Sequence, residues 1–229
     1  MITIAALFVQ TNGCYFGLEG VDPWDKRRDA RLYAGPYPVV AHPPCARWCR
    51  LAGLVEATTK GRLKRGEDDG CFAAALASVR RWGGVLEHPA YSDAFAFFGL
   101  PIPLDKGGWQ MGLCGGWSCH VEQWHYGHPA KKATWLYCFG VPPPPMLWGT
   151  TPDNAVTSYV TDGGGRVKGR KRALVSWCGN KTNDGGERRK RLGGKAASAT
   201  PPQFRDALLT IARGGEDELA ATERNARAV

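Results

Sequence analysis

Two residues in this sequence have the type and setting for covalent chemistry, Cys45 and Glu87. Val39-Val40-Ala41 reads as a short buried strand. His42-Pro43-Pro44 stops it, because proline donates nothing to a ladder and holds the backbone extended. Cys45 comes next. In an open α/β sheet, ligands bind outside the carboxyl ends of the strands, so a cysteine on a stiffened loop there is a candidate nucleophile. It also reads as a small buried apolar residue, since free cysteine is among the most buried types. Val85-Leu86 opens a second strand that runs into Glu87-His88-Pro89, another proline-stopped end, now carrying a carboxyl group and an imidazole. His88 is a candidate general base or a structural histidine. His42 flanks the first strand end in the same way.

The elements that would position these groups can be read around them. Residues 71–82, CFAAALASVRRW, form the clearest helix, with Phe72, Leu76 and Val79 recurring at helical spacing. Asp68 or Asp69 can cap it, and Gly83-Gly84 ends it. Strand, helix, strand implies a parallel pair joined by a crossover, which puts Cys45 and Glu87 at one edge of a sheet. Residues 2–9 read as a first strand, Cys14-Tyr15-Phe16 as a short return strand, and 20–25 as a loop whose Asp25 caps a helix over 26–32. Residues 50–70 read as a charged, aperiodic loop, and Ser92 can cap a short helix. Residues 121–126 and 134–139 read as strands of a hairpin. The fold expected is α/β, Rossmann-like, a mainly parallel sheet with helices on both faces. Residues 1–141 form the catalytic-type domain. Residues 142–200 form a Pro-rich spacer and a basic irregular segment, with a strand at 173–177. Residues 201–229 hold a helix that packs back on the domain through Phe204, Leu208 and Ile211, and then a frayed tail.

Net charge is +9 over 229 residues, and it is concentrated. Residues 163–195 carry eleven basic residues against two acidic ones, the whole excess. Arg170, Lys171, Arg172, Arg188, Arg189 and Arg191 lie there. A neutral body with one basic segment fits a polyanion partner, most simply nucleic acid; a solvated basic loop is the plain alternative. The opening MITIAALFV lacks a basic leader, and no run reaches membrane-spanning length, so a soluble, cytoplasmic protein without a membrane partner is expected. Eight scattered cysteines then read as reduced thiols.

The pair Pro43-Pro44-Cys45 and Glu87-His88-Pro89 resembles the catalytic core of the DNA cytosine-5 methyltransferases, where a Pro-Pro-Cys loop carries the nucleophile and a Glu-Asn-Val strand end holds the base. The chain is also similar to a group of small phage-type proteins, in VDPWD at 21–25, AHPPCARW at 41–48, GGVLEHP at 83–89, YGHPAKKATWLY at 126–137 and TPPQFRDALL at 200–209. The resemblance implies modification of a DNA pyrimidine at C5. The Cys45 thiolate would add at C6 and make C5 nucleophilic, Glu87 would hold the base edge, and the target would be flipped out of any duplex. Arg47 and Arg50 are placed to lower the thiol pKa, to contact phosphate or simply to face solvent. His128, Lys131 and Lys132 are candidates for phosphate or a polar base edge. Gln123 is the counterpart of the family's Gln-x-Arg-x-Arg segment.

The family binds S-adenosylmethionine through a Phe-x-Gly-x-Gly loop. Here VQTNGCYFG at 9–17 supplies only Gly13 and Gly17, with Asp22 or Asp25 for a ribose. A folate one-carbon donor transferring a hydroxymethyl group is the alternative, and so is a non-catalytic nucleic-acid-binding protein on the same fold. No metal is expected. Zinc on Cys45, Cys49, Cys114 and Cys119 is a competing reading whose spacings depart from the usual two-residue knuckle.

Overall fold

A computed structural model describes residues 3–128, 131–140, 142–149, 156–161, 167–173 and 198–214. Seven strands form one sheet: β1 (Ile4–Leu7), β2 (Val21–Trp24), β3 (Val39–Ala41), β4 (Gly84–Pro89), β5 (Gln110–Met111), β6 (Trp117–Glu122) and β7 (Ala133–Phe139). Their order is β2-β1-β3-β4-β7-β6-β5. The pairings from β2 to β4 are parallel, and those from β4 through β7 and β6 to β5 are antiparallel. The sheet is therefore mixed, parallel at one end, rather than mainly parallel throughout. The β6–β7 connection, residues 123–132, is shorter than the roughly dozen or more residues that a parallel crossover takes, so the two strands pair antiparallel, and β7 lies between β4 and β6.

Helices cover both faces. Helix α2 (Cys71–Trp82) follows β3 and precedes β4, as its periodicity predicts, and buries Phe72, Leu76 and Val79 with Leu7, Ala41 and Leu86 of the sheet. Asp68 caps it, accepting from the Phe72 amide at 2.8 Å. The other face carries α4 (Pro202–Ala212), whose Phe204, Leu208 and Ile211 pack with Val40, Val85 and Leu136. Each such fully buried side chain contributes about 1.5–3 kcal/mol by transfer from water. Gly84 lets β3 and β4 meet, because a Cβ there would stand 2.0 Å from the Val39 carbonyl oxygen.

Several elements depart from the sequence reading. Residues 21–24 form the edge strand β2 although Pro23 lies within it, and proline is tolerated on an edge because one side of the ladder is unpaired. Cys14-Tyr15-Phe16 lies in turns, not a strand. Asp25 organises a turn, accepting from the Arg27 and Arg28 amides, and the expected helix shrinks to a single 3-10 turn, Ala30–Leu32, capped by Asp29. The charged loop holds a short helix α1 (Ala52–Thr58), and α3 (Asp93–Phe97) starts on Ser92 as expected. The basic region is not irregular throughout: β8 (Val156–Thr161) and β9 (Val167–Ala173) pair as an antiparallel hairpin. The strand expected at 173–177 meets β9 only at Ala173, and residues 174–177 lie outside the described residues. No helix among the described residues is long and apolar enough to cross a membrane.

Candidate active site

β2 and β3 lie on opposite sides of β1, so the chain reverses its direction of progress across the sheet there. In open α/β sheets such a switch point leaves a crevice at the carboxyl ends of the strands. β1, β2, β3, β4 and β6 all end at this edge, and β7 begins there. The strand ends and loops carrying Tyr15, His42, Cys45, Glu87, Gln123, Lys132 and Thr134 therefore converge.

Strand alternation decides which groups meet. Val40 and Val85 face α4, and so do His42 and Glu87 two residues further on, whereas Leu86 and His88 face α2. His42 Nδ1 lies 3.0 Å from Glu87 Oε2, and its Nε2 lies 2.8 Å from the Tyr15 hydroxyl. Gln123 Nε2 donates to Glu87 Oε1 at 3.0 Å and to Thr134 Oγ1 at 3.0 Å. The opposite amide orientation would set two acceptors against each other at Glu87, so the carboxylate itself fixes the Gln123 side chain. Gln123 Oε1 is buried and has no hydrogen-bond partner among the described residues.

Burial opposes the charge on Glu87, but the His42 hydrogen bond and the charges of His42, Lys132 and His88 prevail and hold its carboxyl down at about 2. Glu87 is an oriented anion with both oxygens engaged and a side chain only 12% exposed. Cys45 is half-buried behind the Pro43-Pro44 stop, and its carbonyl accepts from the Trp48 and Cys49 amides in a tight turn. Burial pushes its thiol up, and the Cys49 thiol and the Glu87 carboxylate push the same way against Lys132 and the Cys45 backbone N–H. The resting sulfur is therefore a protonated thiol, and lowering of its pKa by Arg47 and Arg50 does not arise. Arg50 lies over the Tyr91 ring at 5.3 Å, and the Arg47 carbonyl ties down Gly66.

His88 is on the wrong face for a general base acting beside Glu87. It is fully buried with its ring edge-on to Phe72 at 5.1 Å, and neither ring nitrogen makes a hydrogen bond of good geometry. Burial pushes its pKa down to about 4, against the Glu87 carboxylate and the nearby Pro44 carbonyl. It is a neutral core residue at pH 7.

The other expected contacts divide. Lys132 reaches the site electrostatically, while its Nζ binds the carbonyls of Ser198 at 3.0 Å and Ala199 at 2.8 Å. That bond ties the approach to α4 onto the site. Lys131 pairs with the buried Glu122 at 2.7 Å, and His128 is buried. Arg170, Lys171 and Arg172 fall on β9, opposite Tyr159, Ser158 and Thr157. Arg188, Arg189 and Arg191 lie outside the described residues. Asp22 binds the Arg28 guanidinium and accepts from Trp24 Nε1 at 2.7 Å; Asp25 accepts from the Thr11 hydroxyl at 2.6 Å and from two backbone amides. The hydrogen bond from Thr11 is the largest influence holding the Asp25 carboxyl below its usual range. Both carboxylates are thus spent on closing the loops around β1 and β2, and Gly13 sits in a tight turn where a Cβ would approach the Gln10 carbonyl at 2.8 Å. These residues do not form the open glycine cradle that a nucleoside donor takes.

The zinc reading fails on placement. Cys45 and Cys49 follow the carboxyl end of β3, whereas Cys114 and Cys119 lie before and within the first half of β6, towards the opposite edge. Among the described residues no group of three or more His, Cys, Asp or Glu is placed to hold a metal. Tyr15 and Thr134 carry no sequence signal for the site. Tyr15 lies 27 residues from His42 and meets it only through the β1–β3 pairing. Thr134 belongs to a strand whose alternation is legible, but its neighbour across the sheet is not. Comparison with known proteins finds no family model, no curated protein and no solved structure that matches the chain.

Proposed function

We propose that the chain is a DNA-modifying enzyme of the pyrimidine C5 type, built on a Rossmann-like, methyltransferase-like core. The observation that carries this reading is that Cys45 and Glu87 lie at the carboxyl ends of the paired strands β3 and β4, with Glu87 oriented from two sides by His42 and Gln123. A nucleophile and a fixed carboxylate are what C5 chemistry on a pyrimidine requires. Cys45 gives up its thiol proton to water as the Sγ–C6 bond forms, and the electron pair of the C5–C6 double bond moves towards N3. Glu87 accepts from the exocyclic amino group and lines the N3 edge. C5 is then nucleophilic and takes a one-carbon unit. S-adenosylmethionine and a folate are the two donor classes, and no step here is routed through either. The basic hairpin strand β9 and the basic sequence beyond it support a DNA partner through phosphate contacts, and the expected setting is the cytoplasm of a bacterial or phage-infected cell.

The test needs no donor. An adduct at C6 makes C5 basic, so in D2O it takes up a deuteron, loses its own proton and expels Cys45. Single-stranded DNA incubated with the protein in D2O, digested and read by mass spectrometry should show deoxycytidine heavier by one deuteron. Cys45→Ala and Cys45→Ser should show none. Deuterium uptake that persists in both variants refutes the nucleophile, and DNA binding measured in parallel separates catalysis from a purely binding role.

A further inference from the structure

We infer that Tyr15 and His42 form the proton store behind the base-holding carboxylate, so that N3 of the bound base is protonated from His42 through Glu87. This inference rests on the C5 reading above and extends it to residues outside the Pro-Pro-Cys and Glu-His-Pro motifs. Its ground is geometric. Both nitrogens of His42 are used, Nδ1 on Glu87 Oε2 at 3.0 Å and Nε2 on the Tyr15 hydroxyl at 2.8 Å, and the rings of Tyr15 and His42 are 5.3 Å apart. The chain is shut off from bulk water: Tyr15 is 2% exposed, and the His42 side chain 13%.

The proton balance gives each group its part. When Sγ bonds to C6, electron density arrives at N3, which in cytosine bears no hydrogen. An anionic carboxylate cannot supply a proton on its own. Doubly protonated His42 passes its Nδ1 proton to Glu87 Oε2, the carboxyl so formed gives that proton to N3, and the carboxylate ends as it began. On elimination of Cys45 the proton returns along the same path. Tyr15 does not ionise: burial, with Cys14 and Glu87 adding, pushes its pKa well up. Its hydroxyl can accept from an Nε2–H or donate to a bare Nε2, so the contact survives both states of the imidazole. His42 and Tyr15 are positioning residues, since neither touches the base.

Other charges face this chain. From β4 there is Glu87, with His88 behind the sheet; from the β3 loop Cys45 and Cys49; from the approach to β7, Lys132; from the loop after β1, Cys14; and from α4, Arg205 and Asp206. Arg205 is fixed near Tyr15 by donating to the Cys14 carbonyl at 3.0 Å.

The test is the rate of donor-free deuterium uptake at C5. His42→Gln should slow it about 100-fold. Tyr15→Phe should slow it about tenfold, the loss of one hydrogen bond. In His42→Ala, added imidazole should restore part of the rate, which a merely structural role would not allow. Wild-type exchange with His42→Gln unchanged in rate overturns the proton store while leaving Cys45 and Glu87 standing. Absence of exchange in the wild type overturns the C5 reading itself, and this inference with it.

Discussion

Glu87 and His88 are neighbours in the chain, and the pleat of β4 sends them into two different regions. Towards α4, Glu87 joins polar groups that are connected: with it, Tyr15, His42, Gln123 and Thr134 form one continuous hydrogen-bonded path. Towards α2, His88 enters a sealed core of Phe72, Phe95 and Leu86. The same strand thus keeps one ionisable group charged and the next one neutral, with carboxyl and imidazole both shifted down for opposite physical reasons. Partners stabilise the carboxylate anion, while burial without a good partner disfavours the imidazolium. The connected face holds a charge through its partners, and the sealed face contributes burial.

Substitutions can break or sharpen that contrast. Phe72→Ala, in the sealed core, should cost about 3–5 kcal/mol of stability through lost burial and a cavity. Urea denaturation measures it, and a loss under about 1 kcal/mol would mean that the α2 face is not the stabilising one. Glu87→Gln, on the connected face, should reduce C5 exchange by about 100-fold, close to 3 kcal/mol of barrier. Equal exchange rates would remove the carboxylate from the chemistry.

His88→Leu tests the sealed face by pH. The folded imidazole has its pKa lowered to about 4, so between pH 6.5 and 4 the unfolded chain binds the extra proton. Wild-type stability should therefore fall as pH drops through that window, by roughly 3 kcal/mol, whereas His88→Leu should lack this loss. Glu87 acts lower: its stabilisation is complete above the ordinary carboxylate range and is lost as pH falls towards 2. A wild type and His88→Leu with parallel stability curves from pH 7 to 4 would show that His88 is not held neutral by burial. The smallest effect is Asp68→Ala, which removes the cap of α2 and the acceptor of Trp48 Nε1 at 2.9 Å. About 1 kcal/mol is expected, with exchange activity retained.

Much of this contrast is absent from the sequence signals. His42 and His88 look alike there, each beside a proline at a strand end. Only the parity of each position, counted from strands whose pairing is known, separates the site residue from the core residue. Gln123 reads as a faint counterpart of a family motif, and it becomes meaningful only when β7 and β6 carry it to Glu87. Asp22 and Asp25 look available for a donor, yet local turns consume them through partners as near as Trp24 and Arg28.

By itself, the sequence determined what depends on local backbone chemistry. Pro43-Pro44 and Pro89 end their strands because proline lacks a donor. The spacing of Phe72, Leu76 and Val79 makes α2, and that of Phe204, Leu208 and Ile211 makes α4. These set Cys45 and Glu87 at strand ends. The tertiary structure decided the order of the strands, the antiparallel insertion of β7 and the meeting of Tyr15, His42, Glu87 and Gln123. Those contacts join residues 27 to 45 positions apart. Their formation depends on which strands pair and in which register, a choice made by burying both faces of the whole sheet at once.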